Sequence, residues 1–403
     1  MPSSSSDSSR PNTIVLLAAA SLTAMVAIVF ARLAYGLILP SMRAELGLTY
    51  RAAGNLGTIT ALGYFLFILP GGVAATRWGS RNTAMGGLLL VMLGFIGLAV
   101  ADSYLPIAVL MFALGVGTAY CFAPMLSLLV TWYPERRGLM IGCMTAGIGA
   151  GLFLVGLLIP WLIRIFGAIG WRMSWGVFAA VAAIAALLVL LGAKDPPVAG
   201  DAGRQALPAA EKWRIYRNPR VLTIATVYGI IGVSYIAQAI FMVSFAESSG
   251  IASTTAGWLV SMSGLLSVIC GPLWGSLSDR WGRGNTLLLT LSLLTVGMAL
   301  PMFSQSPPTF FFHFLLFGIS INGSFTMVQA ASTDQVAPRY IPIAFSYATL
   351  FFAGGQFIGP AIAGWLIEAG GFQAALGFTC VALLLGIYLS QRIRGFSKEL
   401  AVA

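Results

Sequence analysis

Arg77-Trp78-Gly79-Ser80-Arg81-Asn82-Thr83 recurs as Arg280-Trp281-Gly282-Arg283-Gly284-Asn285-Thr286, with Arg-Trp-Gly and Asn-Thr kept in register at an offset of 203 in a chain of 403 residues. Gly72 and Gly275 obey the same offset. Self-similarity at half the chain length is the signature of a duplicated unit, so these two stretches set the count and symmetry of what surrounds them.

Working outward from each copy, hydropathy marks apolar spans near 13–39, 52–75, 82–101, 105–131, 138–162, 172–192, 221–245, 254–277, 285–304, 309–332, 341–367 and 372–390. Each is about long enough to cross a hydrocarbon core of ~30 Å as a helix. The repeat joins spans two and three in one half and spans eight and nine in the other, as a duplicated six-span unit requires. A composition of 58% hydrophobic and 8% charged residues excludes a soluble domain. The expected fold is an all-α membrane protein with 12 transmembrane helices arranged as two pseudo-symmetric six-helix bundles.

Residues 1–12 read as a disordered cytoplasmic tail, because a Ser-rich polar stretch has too little apolar surface to fold. The first bundle is expected over 13–192, a cytoplasmic linker over 193–219, the second bundle over 220–391 and another cytoplasmic tail over 392–403. The linker ends in Trp213, Arg214, Tyr216, Arg217 and Arg220, a basic and aromatic pattern suited to a membrane interface. An even number of spans puts both termini on one side. Of the 22 Lys and Arg residues, 17 fall on that side, against Arg43, Arg51, Arg164 and Arg172 on the other. The positive-inside rule therefore makes both termini cytoplasmic, and the expected location is the plasma membrane of a bacterium, its inner membrane, as a multi-pass protein. The net charge of +10 serves this orientation, and no nucleic acid partner is expected. Cys121, Cys143, Cys270 and Cys380 all lie inside spans, without disulfide or metal spacing.

The stretch Phe30-Ala31-Arg32-Leu33-Ala34-Tyr35-Gly36 puts an arginine inside the first span. At 1.5 Å per residue from a midpoint near Val26, Arg32 lies ~9 Å from the middle of the bilayer. A charge at that depth is costly in lipid, so it should face a bundle interior or watery cavity with an anion nearby. Asp7, Glu45, Asp102, Glu135, Asp195, Asp201, Glu211, Glu247, Asp279, Asp334, Glu368 and Glu399 all fall in tails, loops or span ends. Two readings follow: a carried anion balances Arg32, or its long side chain snorkels to the nearer interface. Ser21, Met25, Ile28, Arg32, Tyr35 and Leu39 form one stripe at helical spacing, which makes Tyr35 either a substrate contact or gate, or an interfacial anchor.

Polar residues at mid-depth elsewhere supply further candidates. Gln238, Asn322 and Gln356 are the substrate contacts expected from spans seven, ten and eleven. His313, the only histidine, is the proton-coupling candidate, since an imidazole of unperturbed pKa about 6.5 exchanges protons near neutrality. The plain alternative places it as a cap on the helix end after Pro307-Pro308. Glycines 147, 149, 151, 354, 355, 359 and 364 sit too deep for phosphate loops and read as points of close helix approach, hinge and gate elements.

Gly275-Ser276-Leu277-Ser278-Asp279-Arg280-Trp281-Gly282-Arg283 resembles the Gly-x-x-x-Asp-Arg-x-Gly-Arg loop of the major facilitator superfamily. The first copy departs from it, with Thr76 where the acid belongs. The resemblance implies a gating role at the cytoplasmic end for Asp279, Arg280 and Arg283 and for Arg77 and Arg81. A narrower likeness lies in Gly115-Val116-Gly117-Thr118-Ala119-Tyr120-Cys121-Phe122-Ala123-Pro124, Trp132-Tyr133-Pro134-Glu135-Arg136-Arg137-Gly138 and Ala146-Gly147-Ile148-Gly149-Ala150-Gly151, which look like the oxalate/formate and monocarboxylate porters. It implies substrate contact for Tyr120. Those porters carry a cation in span eight, whereas this span offers Ser261, Ser263, Ser267 and Cys270. Met111 stands where drug/proton exchangers usually have arginine.

The expectation is a secondary active transporter of a small organic anion, a carboxylate, moved by alternating access with proton symport. Proton-driven efflux of a drug or metabolite is the alternative. No enzyme activity, cofactor or metal is expected; the partners are the anion, protons and the lipid bilayer, and the protein should act as a monomer.

Overall fold

The computed structural model describes residues 11–133, 137–195, 209–336 and 341–396. The expected tails at 1–10 and 397–403 and the linker at 196–208 lie outside them. Twelve long helices run through the described residues: α1 Thr13–Leu46, α2 Tyr50–Trp78, α3 Ser80–Val100, α4 Tyr104–Trp132, α5 Arg137–Phe166, α6 Gly170–Gly192, α7 Pro219–Ser248, α8 Ser253–Trp281, α9 Arg283–Phe303 and α10 Pro307–Thr333, then α11 and α12 within Ile341–Ile393. The last two part at Gly370 and Gly371, where φ at Gly371 is 77°. A short helix, Ala209–Tyr216, precedes α7.

Local chemistry sets the ends. Asn12 Oδ1 accepts the Ile14 and Val15 N–H groups at 3.0 and 3.4 Å, Thr49 caps α2, and Asn218 caps α7 ahead of Pro219. Several helices run past the hydropathic spans by about a turn or more; α1 continues beyond Pro40 to Leu46. Hydropathy marks only what lipid must cover, while backbone hydrogen bonding carries the helix on into the interface.

The repeat has a structural meaning at its shared glycine, asparagine and threonine. Gly79 and Gly282 both adopt φ 86° and ψ 150°, which a side chain would strain, and this lets the chain reverse between long helices. Asn82 and Asn285 donate to the carbonyls of Trp78 and Trp281, four residues back, at 3.0 and 2.8 Å. Thr83 and Thr286 donate to Gly79 and Gly282. Two sequence copies thus make one turn twice.

The start of α1 and the ends of α4 and α6 meet at one end of the molecule. Thr13 Oγ1 is 2.7 Å from the Tyr133 hydroxyl, and the indole N–H of Trp132 donates to the Lys194 carbonyl at 2.7 Å. The opposite end, here the far end, is where the bundles seal against each other. A Cβ on Gly36 of α1 would overlap the Ala239 carbonyl of α7, and one on Gly54 of α2 would overlap the Pro360 carbonyl of α11. Gly156 and Gly257 bring α5 against α8 in the same way. Tyr50 packs 5.0 Å from Phe372, and the Arg51 N–H donates to Glu368 at 3.2 Å. Within the first bundle, Arg172 pairs with Glu45 and Asp102 at 3.0 and 2.7 Å, tying α1 and α6 to the α3–α4 turn.

Candidate functional site

The first helix is not uniform. Met25–Leu33 is a π-helix between α-helical segments, and the Ala34 N–H bonds to Val29, five residues back, at 2.8 Å. Each such turn takes in an extra residue, so positions three or four apart no longer superpose. Thr118 Oγ1 of α4 donates to the Ala27 carbonyl inside this wide segment at 2.9 Å. The single stripe expected from Ser21 to Leu39 therefore breaks up. Ser21 donates to the Cys143 carbonyl of α5, Met25 packs on Gly151 of α5, Arg32 turns to α11 and Tyr35 to α2.

Arg32 ends the π segment and is 8% exposed, so it does not snorkel to an interface. Its Nη2 donates to Oε1 of Gln356 at 2.6 Å, across the two bundles. The guanidinium carbon stands 4.6 Å from the ring centre of Tyr64 on α2, and Tyr235 of α7 lies within its electrostatic reach. Among the described residues Arg32 takes part in no ion pair. A full charge is held by neutral groups, and the bond to Gln356 uses one of five guanidinium donors. The planar fork can accept a carboxylate bidentately.

The remaining candidates do not converge on that group. The Tyr35 hydroxyl is spent on the Ala53 carbonyl at 3.0 Å, which makes it a brace between α1 and α2. Asn322 donates to the Ser267 carbonyl at 2.5 Å and joins α10 to α8. Tyr120 is half-buried with its ring 6.3 Å from Phe67. Gln238 Nε2 lies 3.5 Å from His313 Nε2, beside a void of about 20 Å³, room for about one water. His313 is fully buried, with Nδ1 2.7 Å from the Gly297 carbonyl. It is therefore neither a cap nor open to the far side, because its ring is walled in by α7, α9 and α10.

At the end where α1 starts, the gating candidates act within each bundle. Asp279 pairs with Arg283 at 2.9 Å, and Arg283 reaches Asp334 at 3.5 Å and also the Ser278 hydroxyl. Arg77 and Arg280 are exposed. In the first copy, where Thr76 takes the place of the acid, Asp195 just after α6 caps the start of α3: its Oδ1 accepts the Arg81 backbone N–H at 2.9 Å, where Asp279 in the second copy instead makes a side-chain ion pair. Arg81 in turn donates to the Leu190 carbonyl at 2.7 Å. Asp195→Ala removes this cap at a cost of about 1 kcal/mol, which lowers the melting temperature by roughly 1 °C, whereas Asp195→Asn keeps an acceptor and most of the stability. Thermal unfolding followed by tryptophan fluorescence reads the difference.

Residues 24–391 match the family described as "Uncharacterised MFS-type transporter YbfB". The chain belongs to the major facilitator superfamily. Among its relatives, the oxalate:formate antiporter of Oxalobacter formigenes is 24% identical over 310 residues, covering 73% of this chain and 72% of that protein. Monocarboxylate transporter 12 of Rattus norvegicus is 23% identical over 352 residues, covering 78% and 70%. The solved structure of the nucleoside transporter NupG has a TM-score of 0.75 at 14% identity, covering 95% of this chain and 99% of that one, and shares the fold. As a superfamily member the protein is a multi-pass membrane transporter and not an enzyme.

Sequence reasoning missed two residues of this superfamily member. Tyr64 is one tyrosine in an apolar span, and nothing along the chain ties it to Arg32. Asp195 left a faint signal: it directly follows span six, at the same end as Thr76.

Proposed function

We propose that the protein carries a small organic anion, a carboxylate, by alternating access of the two bundles with proton symport. One observation carries the reading: a buried guanidinium, in no ion pair among the described residues, bridges the bundles through a neutral glutamine. A carboxylate arriving beside Gln356 supplies the missing charge, and release restores the neutral partner. Arg32 and Gln356 belong to different bundles, so loading the site and moving the bundles are coupled. The far-end seal fits one of the two access states, and relatives named for oxalate, formate and monocarboxylates support the anion class.

Entry of an anion against a negative interior costs ~2.3 kcal/mol per charge per 100 mV, and a proton moving with it cancels that cost. His313 is the proposed proton carrier, with Gln238 as its neighbour, and the termini are proposed to lie on the cytoplasmic side of a bacterial inner membrane. Proteoliposomes loaded at neutral pH should accumulate radiolabelled lactate, oxalate or benzoate faster when the far side is acid. His313→Gln should bind the anion yet lose that response to the gradient. Transport of cations with no anion uptake would overturn the proposal in favour of proton-driven efflux.

A further inference from the structure

The neighbourhood of Arg32 holds two kinds of surface. One is the cation. The other is a set of rings on the second bundle: Tyr228 stacks on Phe352 at 4.4 Å and 17°, and Phe325 stands edge-on to both Phe352 and Tyr235 at 5.3 Å. Phe352 precedes Gln356 by one helical turn, so the rings begin next to the acceptor of Arg32. Tyr64 presents a further ring from the first bundle, over the guanidinium.

A comparison inside the molecule separates this cluster from ordinary core. Phe95, Trp175 and Phe178 also pack ring on ring, Phe95 stacked on Trp175 and Phe178 edge-on to both, and all three are 0% exposed. Tyr235, Phe325 and Phe352 instead keep part of their surface uncovered, although α7, α10 and α11 pack around them. Two of these partly uncovered rings border a cation in no ion pair among the described residues: Tyr235 lies within its electrostatic reach, and Phe352 stands one turn before its acceptor Gln356. Arg32 is also the one buried Lys or Arg among the described residues, so a second carboxylate on the cargo would find no cation at this depth.

We infer that the cargo is an aryl monocarboxylate, its carboxylate on the Arg32 fork and its flat ring against Tyr235, Phe325 and Phe352. This deepens the anion reading and rests on it. The ring fills the uncovered aromatic surface by offset stacking, and the lone cation accounts for a single negative charge.

Binding to purified protein in proteoliposomes, measured by displacement of radiolabelled benzoate, tests the assignment. Benzoate should bind about tenfold more tightly than acetate, the factor that 1.4 kcal/mol amounts to. Succinate should gain nothing over acetate, and benzamide, flat but uncharged, should not displace. Phe352→Ala or Tyr235→Ala should lower the benzoate-to-acetate ratio toward one, while Tyr235→Phe, which keeps the ring, should keep the ratio. Equal affinity for benzoate and acetate would overturn the aryl assignment and leave the anion reading standing. Displacement by benzamide, with no carboxylate bound more tightly, would overturn both.

Discussion

Replacing Arg32 with alanine lowers anion uptake by about two to three orders of magnitude while the protein folds and melts no lower than the parent. Truncating one partner of a buried, hydrogen-bonded charge pair costs about 2–5 kcal/mol of binding, and every 1.4 kcal/mol is tenfold. Stability moves the other way. In the empty carrier Arg32 is a buried cation answered, among the described residues, by neutral groups, Gln356 and the Tyr64 ring with Tyr235 near, so its removal relieves desolvation instead of stranding an acid. Arg32→Lys keeps the charge but loses the planar fork and the ring contact, and falls between the two. Radiolabelled uptake and melting in detergent, measured on the same preparations, check both halves. Normal transport by Arg32→Ala would remove the cation from the mechanism.

Gly36→Leu stops transport by a different route, through the seal and not the site. Any Cβ at Gly36 overlaps the Ala239 carbonyl, so α1 and α7 close only if their backbones move apart. Overpacking of this kind costs about 1–3 kcal/mol, a factor of roughly 5 to 150 in the population of the closed far end. Unlike loss of Arg32, this change leaves the anion site intact. A single cysteine at Ile240, which is 1% exposed and packs on Gly36 and Gly57, reports the state once the native cysteines are replaced. An impermeant maleimide should label Ile240→Cys from the far side in the Gly36→Leu background and not in the parent. Equal labelling in both would show that this contact does not control access.

The two tests depend on different levels of the chain. That Arg32 lies deep in the first span, and that no acid of the chain shares its depth, follows from counting along the sequence. The glycine runs of α5 and α11 were likewise readable as close helix contacts, because small residues at that spacing serve few other ends in lipid, with the exception of Gly354, which meets no neighbour. The partners of Arg32 were not readable. Gln356 lies 324 residues away, and a glutamine in an apolar helix looks the same whether it meets an arginine or a neighbouring carbonyl. Tyr35 and Asn322 show the converse: both had the right chemistry and depth, and packing spent both on backbone carbonyls. The π segment of α1 redirected Arg32 and Tyr35 to different neighbours, and nothing in Met25–Leu33 announces it, since apart from Arg32 its residues are as apolar as those of an ordinary span.

By itself the sequence determined the twelve spans, the duplication that joins spans two and three to spans eight and nine, and an unanswered cation at depth. All of these depend on residues close together in the chain, or on lipid and water as solvents common to every helix. Only the tertiary structure decided that Gln356 and Tyr64 hold the cation, that Asp195 caps the start of α3, and that His313 is walled in. Those outcomes depend on which helix faces meet, and a single extra residue per turn in α1 is enough to change that.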